Sequence, residues 1–278
     1  MRLSERFQTR CGIFGVSMSD VRMLTKQKLS SIKRLLQKKN REEEGMFILE
    51  GWKSLEEAVN AGVEINTIIY DVQKVESAKL LLKLERSAKE VFAAKTKELE
   101  SISDTVNAQG IIAVLPKRPH TGTVESLFKQ QTSLIVVLDG MNDPGNLGTI
   151  IRTCDWFGAD ALVIGQNSVE VYNPKVVRAS MGSLFHLPVI DEVDLTGFIT
   201  ACRKEKMSIY SSELSNSVDI RTVSFSKRSV IIIGSESHGV SPEIAALADK
   251  KIFIPQFGKA ESLNAAMACG IILSHIKL

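Results

Sequence analysis

The chain has 278 residues, of which 44% are hydrophobic, 24% charged and 6% aromatic, as is typical of a globular protein with one large or two ordinary domains. No apolar run is long enough to cross a bilayer, and the four cysteines are widely spaced without a CxxC pair, so we expect a cytoplasmic protein without a membrane anchor, metal site or disulfide framework. The net charge is only +3, but residues 1–41 contain eleven Lys or Arg and two acids and carry +9, which leaves −6 on the remainder.

The N-terminal segment is therefore the most basic part of the chain. A basic arm on a mildly acidic body favours a polyanionic partner. On charge alone, a solvated helix without a partner explains the pattern equally well. We expect residues 1–24 to be disordered and residues 30–41 to form a basic helix.

The next part of the chain, residues 25–115, alternates short apolar runs with amphipathic segments, which predicts a small α/β domain. Phe47 and Tyr70 are expected in its core, and Trp52 is the best candidate for an exposed aromatic residue. Residues 116–132 contain two prolines and several turn residues and are interpreted as a linker. The predicted strands cover residues 46–49, 65–70, 91–93 and 110–115, and the predicted helices cover residues 54–61 and 77–90.

Residues 133–278 form a second α/β block whose strands are continuous apolar runs, as expected of parallel strands that are covered on both faces. In such sheets ligands lie at the carboxyl ends of the strands, so the turns that follow the strands are the first candidates for a site. The predicted strands cover residues 134–138, 161–164, 229–233 and 252–254, and the predicted helices cover residues 147–157, 175–181, 195–204, 242–248 and 263–276.

The first of these turns, residues 139–148, leads into a helix. Asp143, Pro144 and Gly145 give a strong turn signal, and Asn146 is a plausible N-cap of the helix. Arg152 follows on a polar face of the same helix. It either reaches back to the turn or is an ordinary solvated surface residue.

The second turn is Gly234-Ser-Glu-Ser-His-Gly239. It lacks the Lys-Ser/Thr of a P-loop and the second glycine of GxGxxG. Around Ser237 it lacks only the first glycine of the GxSxG elbow, and Asp249 and His275 follow in the order of a hydrolase triad. Too little chain follows Ser237 for the strands that normally carry the acid and the base, so a hydrolase is a minor alternative.

The third turn, residues 254–264, leads into a helix rich in alanine and glycine, and Ser262 is a candidate N-cap for that helix. Small side chains allow close approach of a ligand or of another helix. Tight helix packing alone explains the pattern as well.

Taken together and in this order, the turns resemble the SpoU (TrmH-type) family of RNA 2′-O-ribose methyltransferases in the SPOUT superfamily. The likeness covers residues 133–278 and rests on Asn146-x-Gly-x-x-x-Arg152, Gly234-x-Glu236-x-x-Gly239 and Ser262-Leu-Asn264. Residues 173–182 resemble a further segment of the family, and residues 47–51 are similar, over a shorter stretch, to its substrate-binding domain.

The resemblance implies a C-terminal trefoil-knot domain with a mainly parallel sheet, and a smaller N-terminal α/β domain, L30e-like, that binds the substrate. It also implies S-adenosyl-L-methionine as cofactor, RNA as substrate, a homodimer with sites near the subunit interface, and no metal. By motif position, Gly234, Ile254 and Leu263 would contact the cofactor. The residues expected to be catalytic are Arg152, Asn146, Glu236, Ser262 and Asn264.

Since a guanidinium is a poor base, we expect Arg152 to clamp a phosphate and to stabilise the developing alkoxide rather than to take the proton. Ser262 or Asn264 would orient the ribose hydroxyl, and residues 26–41 would contact phosphates. The expected substrate is 23S-type large-subunit rRNA. The alternatives are a tRNA 2′-O-methyltransferase and a non-catalytic RNA-binding or ribosome-assembly factor.

Overall fold

A computed structural model of the chain describes residues 22–103, 105, 108–117, 127–128 and 130–278. The chain divides into two compact units, one formed by residues up to Lys117 with Tyr172–Pro174, the other by residues 118–171 and 175–278. Most of the predicted linker and residues 1–21 of the segment expected to be disordered lie outside the described residues. Within the described part, no helix combines the length and apolar character needed to cross a membrane.

Unit 1 contains a four-stranded sheet in the order β1-β4-β2-β3, in which β4 is antiparallel to both neighbours and β2 is parallel to β3. Buried aliphatic side chains of the sheet and the first helix form a common core, among them Ile32, Ile48, Ile69 and Ile112. The elements are α1 (Lys26–Arg34), α2 (Lys38–Glu44), β1 (Met46–Glu50), α3 (Trp52–Asn60), β2 (Ile65–Asp71), α4 (Ala78–Ser87), β3 (Ala88–Ala94), α5 (Thr96–Glu100) and β4 (Ile111–Pro116).

The basic N-terminal segment forms two helices rather than the single predicted one. The side chains of Asn40 and Arg41 donate hydrogen bonds of 2.8 Å to the backbone carbonyls of Arg34 and Leu35, and so satisfy acceptors that a continuous helix would use itself. The chain therefore turns between α1 and α2. Both helices still carry basic residues on their exposed surfaces.

Two further predictions for unit 1 are corrected, and one helix was missed. Arg22–Leu24 are ordered, because backbone hydrogen bonds of 2.8 and 2.9 Å join this segment to Ala93 of β3. The helix predicted to reach Glu90 ends at Ser87, since residues 88–94 pair with β2. The short helix α5 had no apolar periodicity to reveal it, and begins where the Glu98 carboxylate accepts from the backbone N–H of Lys95.

Unit 2 contains a fully parallel seven-stranded sheet in the order β7-β6-β5-β10-β8-β11-β9. The four predicted strands are confirmed as its β5, β6, β10 and β11. The elements are β5 (Ser133–Asp139), α6 (Pro144–Trp156), β6 (Ala161–Gly165), α7 (Pro174–Ala179), β7 (Val189–Val193), α8 (Leu195–Lys204), β8 (Ser208–Ser212), β9 (Val218–Asp219), β10 (Arg228–Gly234), α9 (Pro242–Ala245), β11 (Lys250–Phe253) and α10 (Ala265–Lys277).

Helices α6 and α7 pack closely enough to require a glycine. A Cβ at Gly148 would lie 2.5 Å from Cβ of Ala179 and 2.6 Å from the carbonyl oxygen of Val176. This close approach fixes the position of the first turns of α6 against α7. The packing of these two helices therefore requires Gly148, the glycine of the Asn146-x-Gly pattern.

The three described cysteines are buried free thiols: Cys154, Cys202 and Cys269. Burial raises the pKa of Cys202 to about 12 and also raises the pKa of Cys154. The thiolate is the reactive form of cysteine. These thiols are therefore packing residues, and among the described residues no cluster of His, Cys, Asp or Glu could hold a metal ion.

Candidate functional site

The loops that follow β5, β10 and β11 form the candidate site of unit 2. Strands β5 and β10 are neighbours in register, so Gly234 pairs with Asp139 and both loops leave the same edge of the sheet. The Asp139 carboxylate accepts a 2.7 Å hydrogen bond from the backbone N–H of Ser241, which ties the first loop to the end of the second. This is the carboxyl edge where the sequence predicted a ligand site.

A chain of side-chain hydrogen bonds joins the three loops, and we call Glu236, Asn146 and Asn264 the amide relay. The amide nitrogen of Asn146 donates to the Glu236 carboxylate. The carbonyl oxygen of Asn146 accepts a 2.9 Å hydrogen bond from the amide nitrogen of Asn264. Both polar atoms of the Asn146 side chain are therefore hydrogen-bonded to protein partners.

The relay also shows that both predicted N-caps were wrong. Asn264, not Ser262, caps α10, since its side-chain oxygen accepts from the N–H groups of Ala266 and Met267 at 3.0 and 3.2 Å. Asp143, not Asn146, caps α6, accepting from the backbone N–H of Asn146 at 2.8 Å. The Asn264 side chain thus both caps α10 and takes part in the amide relay.

The loop after β10 is a tight backbone turn. Ser235 and Gly239 exchange backbone hydrogen bonds of 3.1 and 2.9 Å, and Gly239 has a φ of +67°. A Cβ at Gly234 would lie 1.9 Å from the carbonyl carbon of Gly239 and 2.1 Å from the nitrogen of Val240. Position 234 therefore admits only glycine.

The hydrolase alternative does not fit this geometry. Ser237 Oγ lies 2.7 Å from Nδ1 of its neighbour His238. Asp249 instead accepts from the backbone N–H of Ile209, and His275 packs edge-on against Phe225. The serine, acid and histidine of the proposed triad therefore do not come together.

A cavity of about 580 Å³ opens beside the relay, within the size range of small-molecule sites. Its wall contains Gly234, Glu236, Ile254, Ser262 and Leu263. All three predicted cofactor residues thus lie on one cavity, together with two of the predicted catalytic residues. Their roles stay predictions.

The wall of the cavity suits a nucleoside cofactor. Among the described residues, the segment 254–262 makes no backbone–backbone hydrogen bond. Its N–H groups are therefore available to a ligand, as are its C=O groups other than those of Gly258 and Ala260, which accept from the Gln256 side chain. Exposed apolar side chains of Leu214 and Leu263 lie around it. Free backbone groups with apolar neighbours match a flat heteroaromatic ring attached to a polar ribose and a charged tail.

Arg152 stands apart from this cavity. It is exposed, two turns along α6 from the relay, and it does not line the cavity. On a helix, a residue four positions further on shares its face, and that residue is Trp156, which is 82% exposed. The structure therefore brings together the other predicted site residues and leaves Arg152 beside an exposed apolar surface.

The sequence also misplaced the exposed aromatic residue. Trp52 is only 2% exposed, and its indole N–H donates to the backbone carbonyl of Gln109 at 3.1 Å. Phe47 and Tyr70 are buried, as predicted. The exposed aromatic residue on the cavity is Phe257, which the sequence signals only by its position between Gln256 and Gly258 in a polar loop.

The comparisons with known proteins agree with this arrangement. The model of the SpoU rRNA methylase family matches residues 133–274, which is more than half of the chain and includes all three loops. The chain belongs to the SpoU rRNA methylase family. The model of the MRM3-like substrate binding domain matches residues 26–113, which lie in unit 1.

Relatives of this SpoU methylase cover nearly its whole length. It is 29% identical to the 23S rRNA (guanosine(2553)-2′-O)-methyltransferase RlmP of Bacillus subtilis, over 94% of this chain and 100% of that protein. It is 30% identical to a putative TrmH family tRNA/rRNA methyltransferase of Staphylococcus epidermidis, over 83% of this chain and 94% of that protein.

Solved structures share the fold of both units. The AdoMet-bound rRNA methyltransferase from Sinorhizobium meliloti matches with a TM-score of 0.80 and 33% identity, covering 92% of this chain and 96% of that one. The AdoMet complex of the SpoU methyltransferase AviRb from Streptomyces viridochromogenes matches at 0.81 and 28%, covering 91% and 97%. The predicted family, α/β fold class, RNA methyltransferase activity and S-adenosyl-L-methionine as cofactor are confirmed.

Proposed function

We propose that this SpoU methylase acts in the cytoplasm on large-subunit rRNA of the 23S type, methylating a ribose 2′-hydroxyl. The observation that carries the proposal is the amide relay, which holds all three motif loops around one cavity. The likeness to a 23S rRNA 2′-O-methyltransferase over nearly the whole chain supports the choice of RNA.

Gly234, Ile254 and Leu263 would hold the cofactor, chiefly through the backbone of the loops after β10 and β11. When bound, S-adenosyl-L-methionine supplies a methyl group that is already electrophilic, so no metal is required. The tight turn at Gly234 brings main-chain groups to the cavity without an intervening side chain. The protein's remaining task is to position the ribose hydroxyl and to ease the loss of its proton.

We assign that task to the polar residues of the motifs. Arg152 would clamp the phosphate next to the target ribose and stabilise negative charge on the 2′-oxygen. Ser262, exposed on the cavity, would accept or donate a hydrogen bond to the hydroxyl, and the proton would leave to phosphate or water. Glu236, Asn146 and Asn264 would hold the loops in place.

We also propose a homodimer formed through α6 and α10. These helices pack together and expose large apolar side chains, Trp156 on α6 and Met267 and Ile271 one turn apart on α10. An exposed patch of this kind marks a protein contact. Arg152 shares the α6 face with Trp156, so dimerisation would place the arginine at the subunit interface, near the sites. Analytical ultracentrifugation should show a dimer, and Trp156→Asp should yield monomers; a monomeric wild-type protein contradicts this proposal.

The trefoil knot is a further proposal. The chain leaves β11 near one end of the sheet and returns as α10 to pack against α6, which follows β5 on the far side of β8 and β10. Such a return path past β8 and β10 supports a threaded C-terminus, one of the rare exceptions to unknotted chains.

We propose that the phosphate contacts of unit 1 come from α1. This is a shorter stretch than the segment 26–41 that the sequence predicted. Lys38 and Lys39 of α2 form i,i+4 ion pairs with Glu42 and Glu43 at 3.5 and 3.8 Å. Lys26 and Lys33 are exposed on one face of α1, seven residues apart, and have no ion pair within the described part of the chain. Among the described cations of α1 and α2, Lys26 and Lys33 are therefore the two that we assign to RNA.

Replacing Lys26 and Lys33 together by Gln is therefore expected to weaken RNA binding and to reduce the slope of log K against log salt by about 1–2, because each lost phosphate contact contributes about 0.7–0.9. The matched control is the Lys38→Gln, Lys39→Gln double variant, whose slope should change less. Filter binding of a 23S rRNA transcript across a salt series measures both. Equal effects in the two variants would contradict the assignment to α1.

The function itself is tested by mapping 2′-O-methyl groups in rRNA and tRNA from cells with and without the protein. One 23S rRNA methyl group should disappear in its absence. A loss confined to tRNA would transfer the activity to the tRNA alternative. No loss, together with no binding of S-adenosyl-L-methionine by calorimetry, would favour the non-catalytic RNA-binding factor.

A further inference from the structure

Phe257 is the most exposed aromatic side chain on the cavity. Its ring is 88% exposed, although it belongs to a loop whose other residues form part of the cavity wall. Leaving so much apolar area in water forgoes the stabilisation that burial of a phenylalanine normally provides. A flat partner that stacks on this ring would recover that stabilisation.

The loop around Phe257 is closed by a side chain and not by main-chain pairing. The amide nitrogen of Gln256 donates to the carbonyl oxygens of Gly258 and Ala260 at 2.9 and 2.7 Å. These bonds turn the chain back on itself immediately after Phe257. Phe257 therefore lies at the tip of this turn.

A cation lies against the ring from outside the cavity. The guanidinium carbon of Arg221 is 5.8 Å from the centroid of Phe257, and Arg221 is not part of the cavity wall. Asp219 holds that guanidinium through hydrogen bonds from both Nε and Nη2, and the hydrogen bond from Arg221 lowers the pKa of the Asp219 carboxyl. An anchored cation of this kind favours one position of the ring.

An exposed aromatic ring with a neighbouring guanidinium is the arrangement on which proteins stack unpaired nucleobases. Every base presents a π-face, whereas an aliphatic side chain such as Leu214 offers none. The RNA is the ligand that must approach the cavity from solvent, where the exposed surface of the ring lies. The cofactor, by contrast, has the free backbone groups of the cavity wall.

We propose that Phe257 stacks on a nucleobase of the RNA at or next to the methylated nucleotide and so positions the substrate strand at the cavity. The inference rests on the proposed function and adds to it a contact that sets which nucleotide is presented. Arg221 contacts the ring and not the RNA, so it is a positioning residue.

The test compares Phe257→Leu, which keeps apolar bulk but loses the π-face, with Phe257→Tyr, which keeps both. Using an unmodified 23S rRNA transcript, Phe257→Leu should raise KM for RNA by roughly 5- to 100-fold, the range expected for one lost stacking contact. Phe257→Tyr should restore KM to near the wild-type value. The Kd for S-adenosyl-L-methionine, measured by calorimetry without RNA, should stay within about twofold in both variants.

Two results would overturn the inference. A loss of cofactor affinity in Phe257→Leu with unchanged KM for RNA would assign the ring to the adenine of the cofactor. Equal KM values for RNA in the leucine, tyrosine and wild-type proteins would show that no base stacks there, while wild-type methylation would leave the proposed function standing. A wild-type protein that fails to methylate the transcript would refute the proposed function instead.

Discussion

Replacing Arg152 by Ala is expected to lower the methylation rate by a factor of about 10²–10³, the effect of removing one donor that stabilises transition-state charge. Arg152 is exposed and lies outside the cavity that we assign to the cofactor. Its loss should therefore leave the affinity for S-adenosyl-L-methionine within about twofold of wild type. Single-turnover methylation of a 23S rRNA transcript and calorimetry with the cofactor measure the two quantities separately.

The control for this prediction is Arg152→Lys. Lysine keeps the positive charge but lacks the planar fork that binds phosphate through two hydrogen bonds, so part of the loss should remain. Because Arg152 shares a helix face with the exposed Trp156, the oligomeric state of both variants must also be measured. Turnover by Arg152→Ala within threefold of wild type would refute the assigned role.

The Gly234→Ala substitution is expected to abolish measurable cofactor binding and to destabilise the protein by about 1–3 kcal/mol, a typical cost of overpacking. The added Cβ would lie 1.9 Å from the carbonyl carbon of Gly239, and since backbone cannot rotate away as a flexible side chain can, the turn must open. Thermal unfolding and calorimetry with S-adenosyl-L-methionine measure the two effects.

Gly270→Ala provides the matched control for stability. A Cβ at this α10 position would meet only Thr153 Cγ2, at an ordinary distance of 3.6 Å, and alanine is the better helix former. Its unfolding temperature should equal or exceed that of the wild type. Wild-type cofactor affinity in Gly234→Ala would show that the turn after β10 does not shape the cavity.

The strands of unit 2 that the sequence revealed are those with uninterrupted apolar runs. Strand β10 has every residue from Val230 to Ile233 buried, and its pattern was unambiguous. Strand β8 was missed because three of its five residues are serines, although it lies between β10 and β11. Strand β7 was missed because Asp191 and Glu192 interrupt its apolar character at the edge of the sheet, where charged residues are tolerated.

The candidate site residues were predicted from motifs, but the motifs could not predict which of these residues contact one another. No local pattern could show that Asn146 bonds to Glu236 and Asn264, since each polar atom has several possible partners until the loops are placed by the sheet. The same limit explains the two wrong caps: Asp143 and Asn264 outcompete neighbouring residues that are equally good cap formers in isolation. Trp52 was misplaced because an indole can be buried once a carbonyl such as that of Gln109 accepts its N–H.

The amide relay has a consequence for how the chain folds. Its two side-chain bonds join residues separated by 90 and 118 positions in the sequence. Contacts of such long range form only after loop-closure entropy has been overcome, and proteins that depend on them fold slowly. We therefore expect local helices to form in a refolding chain before β5, β10 and α10 meet. If the cofactor binds at the loops joined by the relay, as we propose, its binding should return only when unit 2 is fully assembled, and the recovery of binding during refolding should report the last stage of the process.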